Sequence, residues 1–125
     1  MRSLLDTHSL LWAVFERKKL SSEAQKIIAD KDSVVYTSMA SLWEIAIKKN
    51  LGRLDVPDNF FDAIESGGFE LLNITIPHIK QYTALPLHHR DPFDRILIAQ
   101  SINEQLTLIT RDKEIEQYDI SIIKS

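Results

Sequence analysis

The segment His88-His89-Arg90-Asp91-Pro92-Phe93-Asp94-Arg95 runs without a break into Ile96-Leu97-Ile98-Ala99-Gln100. Two carboxylates thus open a stretch apolar enough (Phe93, Ile96, Leu97, Ile98, Ala99, Ile102) that most of a helix built from it should be buried. Proline suits the first turn of such a helix, and acids there are favoured by the helix dipole. Carboxylates held at the mouth of a core are suited to binding a cation or moving a proton. A purely structural role is equally open at this point. Asp91 and Asp94 would stabilise the helix start, and Asp91 with Arg95 at i,i+4 would form a weak surface pair.

The elements that must position these acids can be read in chain order. Arg2–Leu5 reads as a short strand ending in Asp6, and Thr7-His8-Ser9 leads into a helix carrying Leu10, Leu11, Trp12, Val14 and Phe15. Glu16–Lys19 is a solvated link, Ser21-Ser22-Glu23 opens a second helix to about Ala29, and Ser33–Tyr36 is a second strand. Thr37-Ser38 then leads into a third helix that stops near Gly52. Within it Ser41-Leu42-Trp43-Glu44 fits the S-x-x-E capping box, a structural explanation for Glu44. Trp43 is expected in the core. Leu54–Gly68 is the least regular region, with a short helix around Phe60, Phe61 and Ile64, and is a candidate lid or dimer surface. Phe69–Ile74 reads as a strand, Thr75 to Leu85 as a helix, Leu106–Thr110 as a strand ending in Arg111-Asp112, and Ile120–Ile123 as a last strand.

Strands alternating with helices imply a parallel sheet covered on both faces. The fold expected is a three-layer α/β/α domain with four to five parallel strands, a single domain over residues 1–125. In such sheets ligands bind beyond the carboxyl ends of the strands. Asp6 and Asp112 each follow a strand, and Glu44 and Asp94 lie in the first turns of helices that leave the same rim. Each structural explanation accounts for one acid; the topology brings all four together. Clustered carboxylates repel and persist when protons or cations neutralise them. With no cysteine in the chain, all-oxygen ligation suits Mg²⁺ or Mn²⁺. Two such ions, roughly 3.5–4 Å apart, would activate water and stabilise the leaving oxygen of a phosphodiester. His8, His88 and His89 are weaker ligand candidates.

Composition narrows the classes. At 125 residues and 44% hydrophobic content the chain has one real core. No run of residues suits a membrane span, and the early Asp6 does not suit a signal peptide, so a cytoplasmic protein is expected. The net charge of −3 offers no global attraction to nucleic acid. A polyanion would be met by cations bound to the acids and by local basic residues.

The runs Leu4-Leu5-Asp6-Thr7-His8, Ser41–Ala46 followed by Lys48, Gly52 and Leu54, His89–Arg95, and Leu108–Asp112 together resemble the PIN-domain ribonucleases. More narrowly they resemble the VapC toxins of bacterial toxin–antitoxin pairs, over essentially the whole chain. The resemblance implies Mg²⁺- or Mn²⁺-dependent endonucleolytic cleavage of RNA, a VapB-like antitoxin as inhibitor, and a homodimer. It implies that Asp6, Glu44 and Asp94 bind metal, with Asp112 as a more variable fourth acid. Asp91 belongs to the Asp-Pro-Phe-Asp-Arg variant of the third motif and is expected to order the site or an adjacent arginine. Thr7 and Thr110 occupy positions of small hydroxyl residues near the acids. Arg95 and Arg111 adjoin site acids and would steady phosphates, and Lys48, Lys49 and Arg53 would track the RNA backbone. Two other classes stay open. A receiver-like phosphoacceptor also clusters acids at this rim, although a lysine after a late strand is expected there and Arg111-Asp112 stands instead. A metal-binding interaction module without turnover would engage a partner peptide around Trp43 and Phe60-Phe61.

Overall fold

The computed structural model describes residues 1–125. Five short strands, β1 (Arg2–Leu5), β2 (Val34–Ser38), β3 (Glu70–Leu72), β4 (Thr107–Thr110) and β5 (Ile122–Lys124), form one sheet. Its order is β3-β2-β1-β4-β5, and every pairing is parallel. The helices are α1 (Thr7–Phe15), α2 (Ser22–Ala29), α3 (Met39–Asn50), α4 (Phe60–Ser66), α5 (Ile76–Thr83), α6 (Pro92–Glu104) and α7 (Lys113–Glu116). No helix is long and apolar enough to cross a membrane.

Side chains alternate across a strand, so adjacent residues serve opposite layers. Leu5 and Ile109 face a core shared with Leu10, Ala13, Ala24, Ile45, Phe60 and Ile64, which seats α1, α2, α3 and α4. Leu4 and Leu108, one residue earlier, face a second core with Leu97, Ile98, Ile115 and Tyr118 from α6, α7 and the segment after it. The expected three layers follow from this alternation. As expected, α6 is buried around much of its circumference, including Arg95, Leu97, Ile98, Ala99, Gln100 and Ser101.

The differences are local. The edge strands are shorter than read: β3 keeps only Glu70–Leu72, and β5 is displaced to Ile122–Lys124. As edge strands, each pairs on one side only and over three positions, Glu70–Leu72 with β2 and Ile122–Lys124 with β4. The solvated link contains a 3₁₀ turn, Arg17–Lys19. Helix α7 was not anticipated; it is a single turn capped by Asp112.

Two left-handed residues aim the chain at the site. Gly52, at φ 72°, lets Arg53 N–H return to Lys48 O at 2.8 Å, ending α3 so that Arg53 and Leu54 fold back over the carboxyl rim. Gln105, at φ 56°, ends α6 and turns the chain directly into β4.

Candidate active site

Strand order reverses between β1 and β4, because the chain runs outward from β1 through β2 to β3 and then returns to the other side of β1. A crevice opens beyond the strand ends at such a reversal. Asp6 leaves β1 there, its N–H bonded to Ile109 O at 3.2 Å. Its Oδ1 caps α1 through the Ser9 N–H at 2.8 Å, and its Oδ2 accepts from the Thr110 hydroxyl at 2.5 Å. Thr110 Oγ1 in turn accepts from the Asp112 N–H at 3.1 Å. One threonine therefore ties the acid of β1 to the acid of β4.

The other acids arrive on helix starts. Asp91 caps α6, its Oδ1 accepting from the Phe93 and Asp94 N–H groups at 2.9 and 3.2 Å. Asp112 caps α7 through Glu114 N–H at 2.9 Å. Capping is real for these residues, yet it coexists with their convergence. For Glu44 the capping explanation fails. Ser38, not Ser41, caps α3, accepting from Ala40 N–H at 3.0 Å, which puts Glu44 inside the helix. Ser41 Oγ is buried without a partner. Glu44 instead accepts from Thr7 Oγ1 at 2.6 Å and pairs with Lys48 at 3.0 Å.

Asp6, Glu44, Asp91, Asp94 and Asp112 line one open cleft of about 380 Å³, joined by Thr7, His8, Leu11, Lys48, Arg53 and Leu54. Burial, then the charges of Asp91, Asp112, Asp6 and Glu44, push the Asp94 carboxyl up to about 8. Burial also raises Asp6, opposed by its hydrogen bonds from Ser9 and Thr110. Thr110→Val keeps the side-chain shape and removes both of its hydrogen bonds. We expect it to cost about 1–3 kcal/mol in denaturant unfolding and to raise the Asp6 pKa further by NMR titration.

No three acidic or histidine side chains already stand in position to hold an ion together. The donor set nevertheless fits a hard divalent ion, since Mg²⁺ is commonly bound through one or two carboxylates and keeps several waters. Burial and then mutual repulsion oppose the charge on Asp94, and a cation in the cleft would relieve both.

A family model described as PIN domain matches residues 3–121. The chain belongs to the PIN domain family. No curated protein matches it in sequence. Among solved structures, a chain of VapBC2 from Rickettsia felis, bound to a DNA fragment from its promoter, superposes with a TM-score of 0.76 at 15% identity, covering 100% of this chain and 99% of that one. A toxin–antitoxin complex from Klebsiella pneumoniae gives 0.66 at 17% identity, covering 98% and 96%. FitAcB from Neisseria gonorrhoeae gives 0.65 at 17%, covering 99% and 97%. At such identities the likeness is one of fold.

The remaining candidates of this PIN domain divide sharply. Lys48 and Arg53 line the acidic cleft. Lys49 does not; its ammonium bonds Val56 O and pairs with Asp58 at 3.2 Å, pinning the irregular segment. Arg111 lies over the Trp12 ring at 4.1 Å and donates to Lys19 O at 2.8 Å. Arg95 turns away from the cleft and is 6% exposed. It makes no pair with Asp91, donating instead to Pro86 O at 2.9 Å and Tyr118 Oη at 2.8 Å. Trp43 is not core: it is 62% exposed, edge-on to Phe93 at 5.4 Å. Its neighbours Leu42 and Ile45 take the buried face of α3. Phe60 is buried and packs against Phe15 and Phe61. Sequence reasoning did not find Tyr118, which lies outside the quoted runs, six residues beyond Asp112, and whose single signal is an aromatic residue with a polar tip.

Proposed function

We propose that the chain is a metal-dependent endoribonuclease, the toxin of a VapBC-type toxin–antitoxin pair. The observation that carries this reading is the meeting of five carboxylates from β1, α3, α6 and β4 in one cleft at the strand-order reversal. Asp6, Glu44, Asp94 and Asp112 are the residues that would hold Mg²⁺ or Mn²⁺. When bound, such an ion activates water and neutralises charge on a phosphodiester. The chain's own residues set the geometry. Thr7 and Thr110 orient Glu44 and Asp6, and Asp91 fixes the first turn from which Asp94 projects. Lys48 and Arg53 lie at the rim where the phosphates of an RNA strand would pass. Their cationic heads and the bound ion let an acidic protein hold a polyanion.

The toxin assignment is supported by neighbours described as VapBC2 and as a toxin–antitoxin complex. A VapB-like antitoxin would find a groove lined by Met39, Leu42, Trp43, Phe61 and Leu71 and rimmed by Asp62 and Glu65, which suits an amphipathic segment with basic residues. Exposed Ile76 and Ile79, one turn apart on α5, offer an apolar strip for a homodimer. A cytoplasmic setting accords with the absence of a membrane-spanning helix and of cysteine.

The test is cleavage of a mixed pool of structured RNAs by purified protein with Mg²⁺, with Mn²⁺ and with chelator. Cuts at defined positions that vanish with chelator, and in Glu44→Gln, are the expected result. Intact RNA in every condition, from protein that binds Mn²⁺, would move the reading to a metal-binding interaction module.

A further inference from the structure

We propose that His89 is a positioning residue for Asp94, and that Tyr118 and Arg95 decide which of its nitrogens carries the proton. The inference rests on the reading of Asp94 as a metal-binding acid. His89 belongs to the loop ahead of α6, and its largely buried ring lies between two partners. Its Nδ1 is 2.9 Å from Tyr118 Oη and its Nε2 is 3.3 Å from Asp94 Oδ2. Arg95 Nη1 reaches the same Tyr118 oxygen from the core side at 2.8 Å, and the backbone N–H of His89 approaches it at 3.4 Å. The guanidinium also lies 5.0 Å from the Tyr82 ring centroid, which holds it in place.

Proton order follows from what each group can do. A guanidinium and a backbone amide only donate. Together they occupy the two acceptor positions of the Tyr118 oxygen, so its one O–H is left to donate, and His89 Nδ1 is the acceptor in reach. Nδ1 is therefore bare, and the neutral ring carries its proton on Nε2, directed at Asp94 Oδ2. The opposite tautomer would leave the tyrosine O–H without an acceptor, and would turn a lone pair toward Asp94 whenever that carboxyl is ionised. Arg95, Tyr118, His89 and Asp94 thus form one chain of donors, running from a permanently charged group in the core to the acid in the cleft.

Two consequences follow. His89 is not a metal ligand, because one nitrogen is protonated and the other accepts from Tyr118. And Asp94 is held through Oδ2 by a ring that is itself fixed from behind, as outer-shell partners orient ligating groups in metal sites.

Long-range proton–nitrogen NMR correlations of the imidazole, at mildly alkaline pH where Asp94 is ionised, test the proton order without any metal. A single Nε2–H tautomer in the parent protein, becoming a mixture in Tyr118→Phe, is the expected result. A protonated Nδ1 in the parent, or a tautomer unmoved by Tyr118→Phe, overturns it. Mn²⁺ binding, followed by paramagnetic resonance, tests the consequence. His89→Phe should weaken binding on the order of tenfold, with cleavage falling in parallel, and His89→Gln, which restores an N–H toward Asp94, should recover most of both. His89→Phe binding Mn²⁺ as tightly as the parent overturns the positioning role. A parent that shows the Nε2–H tautomer yet binds no Mn²⁺ overturns the metal-site reading instead, while supporting the proton order.

Discussion

Asp94→Asn should abolish metal-dependent RNA cleavage while making the metal-free protein more stable. The loss follows from removing a charged donor from the ion that neutralises the phosphodiester, a contribution of several kcal/mol to the transition state and so more than about a hundredfold in rate. The gain follows from the same charge. Asp94 ionises near 3.8 in an unperturbed setting and near 8 in the folded protein, where burial and four other carboxylates oppose its charge. A folded-state pKa above the unfolded value means that the folded chain holds the proton longer. Stability is therefore lost as pH rises from the lower value to the higher, and the full penalty applies above it. Asparagine carries no such penalty. Thermal or denaturant unfolding in chelator should show the variant equal to the parent near pH 4 and more stable above pH 8, by on the order of 2–5 kcal/mol. Adding Mg²⁺ should stabilise the parent and close the gap. A variant no more stable than the parent at high pH would mean that burial and the neighbouring carboxylates do not oppose the Asp94 charge.

Arg95→Met is the second large effect, and its sign separates a scaffold from a phosphate contact. Methionine retains the apolar stem but leaves Pro86 O and Tyr118 Oη without their charged donor. It also frees the loop that carries His89, whose carbonyl lies 3.4 Å from the same Nη1. Hydrogen bonds from a charged donor contribute about 1.5–3 kcal/mol each, so losing these two should cost about 3 kcal/mol in urea unfolding. RNA affinity should keep its dependence on salt, because a side chain facing the core releases no counterion. A reduction of the salt slope by about one counterion would instead place Arg95 on the phosphates. Arg53→Gln, at the cleft rim, is the matching control and should lower that slope without the stability loss.

The pattern of legibility has a physical cause. Asp6, Asp91 and Asp94 were readable because their surroundings are local: a strand end, a proline at the first helical position, an apolar face that must be buried. Glu44 was readable in position but not in explanation, since Ser38 and Ser41 are equally good caps in a string of letters. Packing Ala40 and Leu42 into the two cores sets the helix start. Trp43 was misread because helical period does not say how wide the buried stripe is; here Leu42 and Ile45 fill it and the indole is left in solvent. Arg95, beside a site acid, and Lys49, in a run of cations, read as nucleic-acid contacts because spacing does not say which way a long cationic side chain turns. Arg95 turns inward because Tyr82, Tyr118 and the Pro86 carbonyl offer it partners from distant parts of the chain.

The sequence by itself determined the alternation of strands and helices, the parallel sheet, and the rim to which the acids must come, because these follow from periodicity and chain direction. Only the tertiary structure decided which polar groups face one another across that rim. Thr110 on Asp6, Thr7 on Glu44 and Tyr118 behind His89 are contacts between residues 104, 37 and 29 positions apart. Such contacts depend on side-chain directions set by packing, which no local spacing encodes.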